Sequence, residues 1–367
     1  MKVRVLGIDP GTKSFDLCGL ENGEVYFEEI LDTSEIAKNP KLLIEATEKA
    51  MPLDLIAGPS GYGVELTYLR DLNIQTLKNW YLTYILLLKE EDLEAALKKG
   101  DIGIMVYSAM TETAMEMKRR GWPVCYIPGV IELPTVPAHR KINKLDMGTV
   151  DKMCIGVLGV YDQAKKLNIP YSEVSFILVE MGFGYNAVLG ISGGKIVDGI
   201  GGTKLTQLVG NWEKMDIFTG GGISVSGKLS PEELIKCADI DGRCEVAWKA
   251  TMDGIVKSVA SMMVTVPHPK EILISGRLTR IEKVKDELLE RLAKFAPVRR
   301  IGWLQGTRRV KESAQGYAMV ADGLVGGKFA RLIEWMGIKN AKGTALDHIY
   351  HPKGKSVKQK LEEKIPF

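Results

Sequence analysis

Cysteine and histidine are scarce, with five cysteines and four histidines in 367 residues. Cys18, Cys125, Cys154, Cys237 and Cys244 are odd in number and form no CxxC pair. That argues against a disulfide framework or a zinc ribbon and favours a reducing, cytoplasmic setting. Long apolar runs are missing too. The longest, around Tyr81 to Leu88, falls far short of the roughly 20 residues that span a bilayer, so no membrane partner is expected. Met1 leads straight into a strand-like segment, without a signal-peptide layout. Nor is there an excess of one charge: 49 Lys and Arg stand against 46 Asp and Glu, a net +3. Nucleic-acid binders usually carry a clear basic surplus, so that partner is disfavoured. What remains is an ordinary globular mixture, 45% hydrophobic and 26% charged. At about 150 residues per domain, two or three domains are expected.

Those domains show themselves as a repeat. Val3 to Ile8 reads as a buried strand, Asp9-Pro10-Gly11-Thr12-Lys13 as a Gly-containing loop, and Phe15 to Leu20 as a second strand. Asn22-Gly23 supplies the two positive-φ residues of a tight hairpin turn, and Glu24 to Ile30 follows as a third strand. Further on come Ser175 to Val179, the loop Glu180-Met181-Gly182-Phe183-Gly184, Tyr185 to Ile191, the turn Gly193-Gly194, and Lys195 to Ile200. Asp9 and Glu180, Gly11 and Gly182, and Gly23 and Gly194 are each 171 positions apart. Two halves open with one acid–loop–hairpin unit.

Each half then continues through a helix into another strand. The first runs from a helix Lys41 to Met51 into Asp54 to Ala57; the second from a helix near Glu245 to Met263 into Glu271 to Ser275, ending at Gly276. A helix from Ile281 to Phe295 follows, and between the halves Thr149 caps a helix with the stripe Val150, Met153, Val157, Tyr161, Ala164. The expected domains are 1–145 and 146–336, with a basic polar tail over 337–367, with or without a short closing helix. Helices alternating with mixed strands make the class α/β.

Glycine loops let backbone N–H groups approach phosphate oxygens, so two such loops facing each other could hold the β- and γ-phosphates of a nucleotide. Asp9, at a strand end, suits a Mg2+-bound water. Thr12 and Lys13 add a hydroxyl and a cation where transferring charge needs stabilising. His139-Arg140-Lys141, before the interdomain helix, is either a solvated basic turn or a set in which Arg140 pairs a substrate carboxylate and His139 faces the phosphoryl group. Asp146 and Asp151 are candidate general bases for a hydroxyl acceptor. Asp151 would also be favoured in a first helical turn by the macrodipole alone. Gly222 to Lys228 imitates a Walker A loop, yet Leu229 replaces the Mg2+-binding hydroxyl, and Ser230-Pro231-Glu232-Glu233 opens a later helix. Arg299, Arg300, Arg308, Arg309 and Lys311 are either contacts for an anion or nucleic acid or, as is commoner for such a run, a soluble basic surface, and His348 and His351 read as solvated tail residues.

Gly7-Ile8-Asp9-Pro10-Gly11-Thr12 resembles the first phosphate motif of the actin, Hsp70 and sugar-kinase superfamily. Glu180-Met181-Gly182-Phe183-Gly184 with its hairpin resembles the second, and Ile272-Leu273-Ile274-Ser275-Gly276-Arg277 the adenosine motif. Within that superfamily the chain is most similar to acetate and butyrate kinases, and especially to the archaeal family described as predicted butyrate kinases, DUF1464. Val310 to Lys328 resembles that family's closing helix. The resemblance implies two duplicated ribonuclease H-like domains, the actin-like ATPase fold, with ATP and Mg2+ in an interdomain cleft. It implies an ATP-dependent small-molecule kinase acting on a butyrate-like short-chain acid or a hydroxyl compound. The alternative is a non-catalytic ATP-binding switch that controls a protein partner; a homodimer stays open. By the same likeness Gly11, Thr12, Gly182, Phe183, Gly184, Gly276 and Arg277 contact nucleotide, and Asp9 and Glu180 attend the metal. Lys13, His139, Arg140 and Asp151 join these two acids as catalytic candidates. Three departures stand out: Glu180 replaces the acetate and butyrate kinases' histidine, Gly58-Pro59-Ser60-Gly61 replaces an Arg-Gly-Gly run, and Arg277 replaces a second glycine.

Overall fold

A computed structural model of the chain describes residues 2–98, 102–183, 185–202 and 231–350, together with 358, 359 and 362. Gly184 and the Walker-like run Gly222 to Lys228 lie outside the described residues, as does most of the tail beyond Tyr350.

The chain divides into two units. The first comprises Met1–Leu145, Thr149–Leu158 and Trp303–Phe367; the second comprises Asp146–Gly148 and Gly159–Gly302. Residues 303–336 therefore belong with the first unit, where the sequence alone had placed them in the C-terminal domain.

The first unit holds β1 (Arg4–Pro10), β2 (Ser14–Glu21), β3 (Glu24–Asp32), β4 (Leu55–Ala57), β5 (Thr67–Tyr68) and β6 (Val124–Tyr126), in the order β3-β2-β1-β4-β6-β5. The second holds β7 (Ser175–Met181), β8 (Asn186–Ser192), β9 (Lys195–Ile200), β10 (Glu271–Ser275) and β11 (Val298–Arg300), in the order β11-β10-β7-β8-β9. In both, an antiparallel three-strand meander continues through its first strand into parallel neighbours. Each unit is thus a ribonuclease H-like domain, the first with the extra edge strand β5. The repeat reaches the register itself. Asp9 pairs with Asp16 and Glu180 with Ala187, and a bulge interrupts each meander at Gly19/Leu20 and Gly190/Ile191, again 171 positions apart. Asn22-Gly23 and Gly193-Gly194 all have positive φ, as the hairpin turn demands.

β1 is buried from Val5 to Asp9 without alternation, as expected of a strand covered on both faces. One cover is the helix Glu312–Leu324, whose residues from Glu312 to Gly323 are all buried. Two glycines let it come close. A Cβ on Gly7 would lie 2.3 Å from the Ala318 nitrogen, and one on Gly316 would lie 2.1 Å from the Cys154 carbonyl oxygen. Three polar side chains of this helix reach partners outside it: Trp303 Nε1 donates to Glu312 Oε1 at 2.9 Å, Leu304 N–H to Gln315 Oε1 at 2.8 Å, and Tyr317 OH to the Ser60 carbonyl at 3.0 Å.

Three further expectations are corrected. Cys237 and Cys244 form a disulfide; no short-spacing motif marks it, because a helix end, a turn and a helix start bring the pair together. The basic run is not one soluble surface. Arg299 makes ion pairs with Glu271 and Asp162 at 2.5 Å each, while Arg308 and Arg309 are exposed and only their backbone N–H groups donate to the Glu28 carboxylate. The start of the tail is folded. Ile338, Ala345 and Leu346 are buried, Val64 bridges Thr344, and His348 is half-buried with burial pushing its pKa down. No helix among the described residues is long and apolar enough to cross a membrane.

One buried acid carries a pH prediction. Burial pushes Glu132 up to about 8, against the Gly129 N–H it accepts and the Lys141 charge. A carboxyl whose folded pKa exceeds its unfolded value stabilises fully below the unfolded pKa, and that stability is lost as pH rises through the folded one. Wild type should therefore lose on the order of 4 kcal/mol relative to Glu132→Gln between about pH 4.5 and 8. Urea unfolding of both proteins across that range checks it; parallel pH profiles would contradict it.

Candidate functional site

In the first unit the site grows from the end of β1. Pro10 closes the strand, Gly11 N–H returns to the Asp9 carbonyl at 3.1 Å, and Thr33 pins the loop. Its hydroxyl donates to Gly11 O at 2.7 Å and its N–H to Lys13 O at 3.2 Å. Thr12 and Lys13 stand exposed at the tip. Asp9 itself is buried.

The partner of Asp9 comes from far along the chain. Lys311 precedes the Glu312–Leu324 helix, and its Nζ lies 2.8 Å from Asp9 Oδ2, 3.3 Å from Asp16 Oδ1 and 2.9 Å from the Ser14 carbonyl. Its backbone N–H donates to Asp16 Oδ2 at 2.9 Å, and Ser313 Oγ donates to Asp9 Oδ2 at 2.6 Å. A Cβ on Gly11 would stand 2.3 Å from that ammonium, so glycine is what admits it. Burial disfavours the Lys311 charge, but Asp9 and Asp16 outweigh it and hold the pKa above the ordinary lysine value. Burial pushes Asp9 up, and Lys311 opposes the shift while Asp151 and Asp16 add to it.

Asp151 completes the group from the helix Val150–Leu167, held by Thr149 Oγ1 and by Lys152 Nζ. Burial would raise its pKa, but Lys152, Thr149 and Lys311 bring it below the usual carboxylate value. Three carboxylates against two ammonium groups leave one formal negative charge. The bonds to Asp9 all fall on Oδ2 among the described residues. Its second carboxylate oxygen and the residual charge suit a hydrated Mg2+ held through water, rather than a cage of direct ligands.

The second unit builds a matching acid. Glu180, buried near the end of β7, is in register with Ser275 of β10. Gly276 follows with φ 95°, and its Cβ would lie 2.3 Å from Met181 O and 2.6 Å from Glu180 Oε1. A Cβ on Gly182 would lie 2.6 Å from Tyr185 O and 3.1 Å from Glu180 Oε1. Glu180, Gly182 and Gly276 therefore meet where no side chain fits, beside a buried Ser275 Oγ that has no hydrogen-bond partner among the described residues. Phe183 is half-buried next to them. Arg277 turns outward to Glu232, Nε to Oε1 2.9 Å.

His139 is exposed and Arg140 half-buried on the short helix Ala138–Lys141. Asp146 lies in the second unit, accepting the Gly148 N–H at 2.8 Å. Sequence reasoning missed Lys311, Ser313, Asp16 and Lys152. Asp16 had a signal, since it is an acid inside the apolar run Phe15 to Leu20.

A search of the curated proteins finds no match. Among solved structures, the chain is similar to a propionate kinase from Francisella tularensis subsp. tularensis. The TM-score is 0.50 and the identity 13%, over 86% of this chain and 98% of that one. It is also similar to acetate kinase from Entamoeba histolytica (TM-score 0.46, 13% identity, 79% and 86% covered) and to a ROK hexokinase from Thermus thermophilus (0.43, 13%, 86% and 98%). The first of these likenesses bears on fold, and agrees with the two duplicated domains. Residues 7–351 match the family described as "Protein of unknown function (DUF1464)", and the chain belongs to that family.

Proposed function

We propose that the chain is a small-molecule kinase that moves the γ-phosphoryl group of ATP to a carboxylate, such as a short-chain acid, or to a hydroxyl. The observation that carries this reading is Lys311. Its ammonium is pressed against the glycine of a phosphate-type loop and locked by Asp9, Asp16 and the Ser14 carbonyl. Phosphoryl transfer asks a protein mainly for positioning and charge neutralisation, and this arrangement offers both. Lys311 fixes Asp9 in place and offsets part of the local carboxylate charge, and Lys13 stands exposed at the loop tip. Asp9 would hold the hydrated Mg2+, which when bound neutralises phosphate charge. In the second unit, Gly182 and Gly276 let the backbone pack directly around Glu180, which places that acid beside Ser275.

Asp151 separates the two acceptor classes. A hydroxyl must lose a proton during transfer, and an ionised carboxylate has none to lose. With a hydroxyl acceptor, Asp151→Asn should lower kcat by about 10²–10⁴-fold, the usual worth of a general base. With a carboxylate acceptor the loss should be below about tenfold. The test is ADP release with ATP and Mg2+ against short-chain acids and polyols. Turnover stimulated by one acceptor class supports the proposal. Nucleotide binding without acceptor-stimulated turnover overturns it in favour of a switch.

A further inference from the structure

Away from this group, the second unit brings together two sulfurs and a carboxylate. Cys237 ends the helix Pro231–Cys237, Cys244 lies in the first turn of the helix Gly242–Met262, and Asp241 caps that second helix. The ligand atoms of Cys237, Asp241 and Cys244 all lie within 4.8 Å of one another. We propose that, once the Cys237–Cys244 disulfide is reduced, these three side chains bind one thiophilic divalent cation of the Zn2+ type, with water as the fourth ligand.

The geometry of reduction favours this. Two unbonded sulfurs rest about 3.7 Å apart, which is also the separation across a tetrahedral ion with Zn–S bonds of about 2.3 Å. Cys244 sits at a helix N-terminus, where the macrodipole favours thiolate over thiol. Asp241 is oriented by Arg243: the Arg243 backbone N–H donates to Oδ1 at 2.9 Å, and Nη2 to Oδ2 at 2.9 Å. Those bonds orient the carboxylate as outer-shell partners do in metal sites, and Arg243 offsets part of the charge of three anionic ligands. Cys237 is half-buried and gives the ion access, while Cys244 is buried in a core cluster with Leu234, Ile235 and Trp248. Two thiolates select a soft ion over Mg2+. The remaining cysteines, Cys18, Cys125 and Cys154, are buried singly, and burial pushes each thiol up. They make poor competitors.

The chemistry balances with a dithiol as reductant. Two electrons and two protons pass from the dithiol into the S–S bond, giving two thiols and a cyclic disulfide. Binding of the cation then releases both thiol protons. The full chain should be reduced with a dithiol, desalted without oxygen until five thiols are counted, and titrated with Co2+. One equivalent should bind with a near-ultraviolet thiolate-to-cobalt band that Zn2+ bleaches. Cys237→Ser and Cys244→Ser should each abolish the band, Asp241→Asn should weaken binding at least tenfold, and the oxidised protein should show none. Absence of a band with all thiols free, a band that survives either serine variant, or unchanged affinity in Asp241→Asn would overturn the site.

Discussion

Lys311→Met should cost the first unit about 3–5 kcal/mol in urea unfolding, because it strands Asp9 and Asp16 as buried carboxylates without their cation. The same change should lower turnover at least about 10²-fold, because Asp9 loses the partner that holds it in position and a misplaced group costs on that scale. Combining it with Asp16→Asn separates the two effects. Removing one stranded carboxylate should restore part of the stability and none of the turnover. Lys311→Arg should rescue incompletely, since a planar guanidinium cannot fit the space beside Gly11 that a compact ammonium fills. Wild-type turnover in a folded Lys311→Met protein would remove Lys311 from the mechanism.

Gly316→Ala should be among the most destabilising single-methyl changes in the chain. Its Cβ would lie 2.1 Å from the Cys154 carbonyl oxygen and 2.4 Å from the carbonyl carbon, and backbone cannot swing aside as a side chain can. Overpacking usually costs about 1–3 kcal/mol, and this contact belongs at the upper end or beyond. The consequence reaches the site, because the displaced helix carries Ser313 and directly follows Lys311. Gly7→Ala should act alike from the opposite face, against the Ala318 nitrogen at 2.3 Å. Gly242→Ala is the control. Its Cβ would meet nothing within 4 Å, so stability should hold or rise by up to about 1 kcal/mol. Equal stability of Gly316→Ala and Gly242→Ala would contradict the packing.

What could be read in advance was local. The two hairpins were legible because positive-φ turns restrict residue choice so strongly, and the 171-residue offset extended to bulges not anticipated from Gly19 and Gly190. Asp9 and Glu180 were legible as acids ending apolar strands. The Asp9 partner was not, because Lys311 lies 302 positions away and beside arginines looks like one more surface cation. Nothing local reveals that the chain after Trp303 returns to the first unit. That return depends on glycines at Gly7 and Gly316, whose role is visible only once the elements they join are placed. Cys237 and Cys244 were opaque for a related reason, since their meeting depends on the angle between two helices.

The most direct measurement is isothermal titration of wild type and Asp9→Asn with ATP in the presence of Mg2+, with circular dichroism confirming that both are folded. The account predicts micromolar binding by wild type and at least tenfold weaker binding by the variant. Absence of binding by folded wild type, or equal affinity in the two proteins, would contradict it.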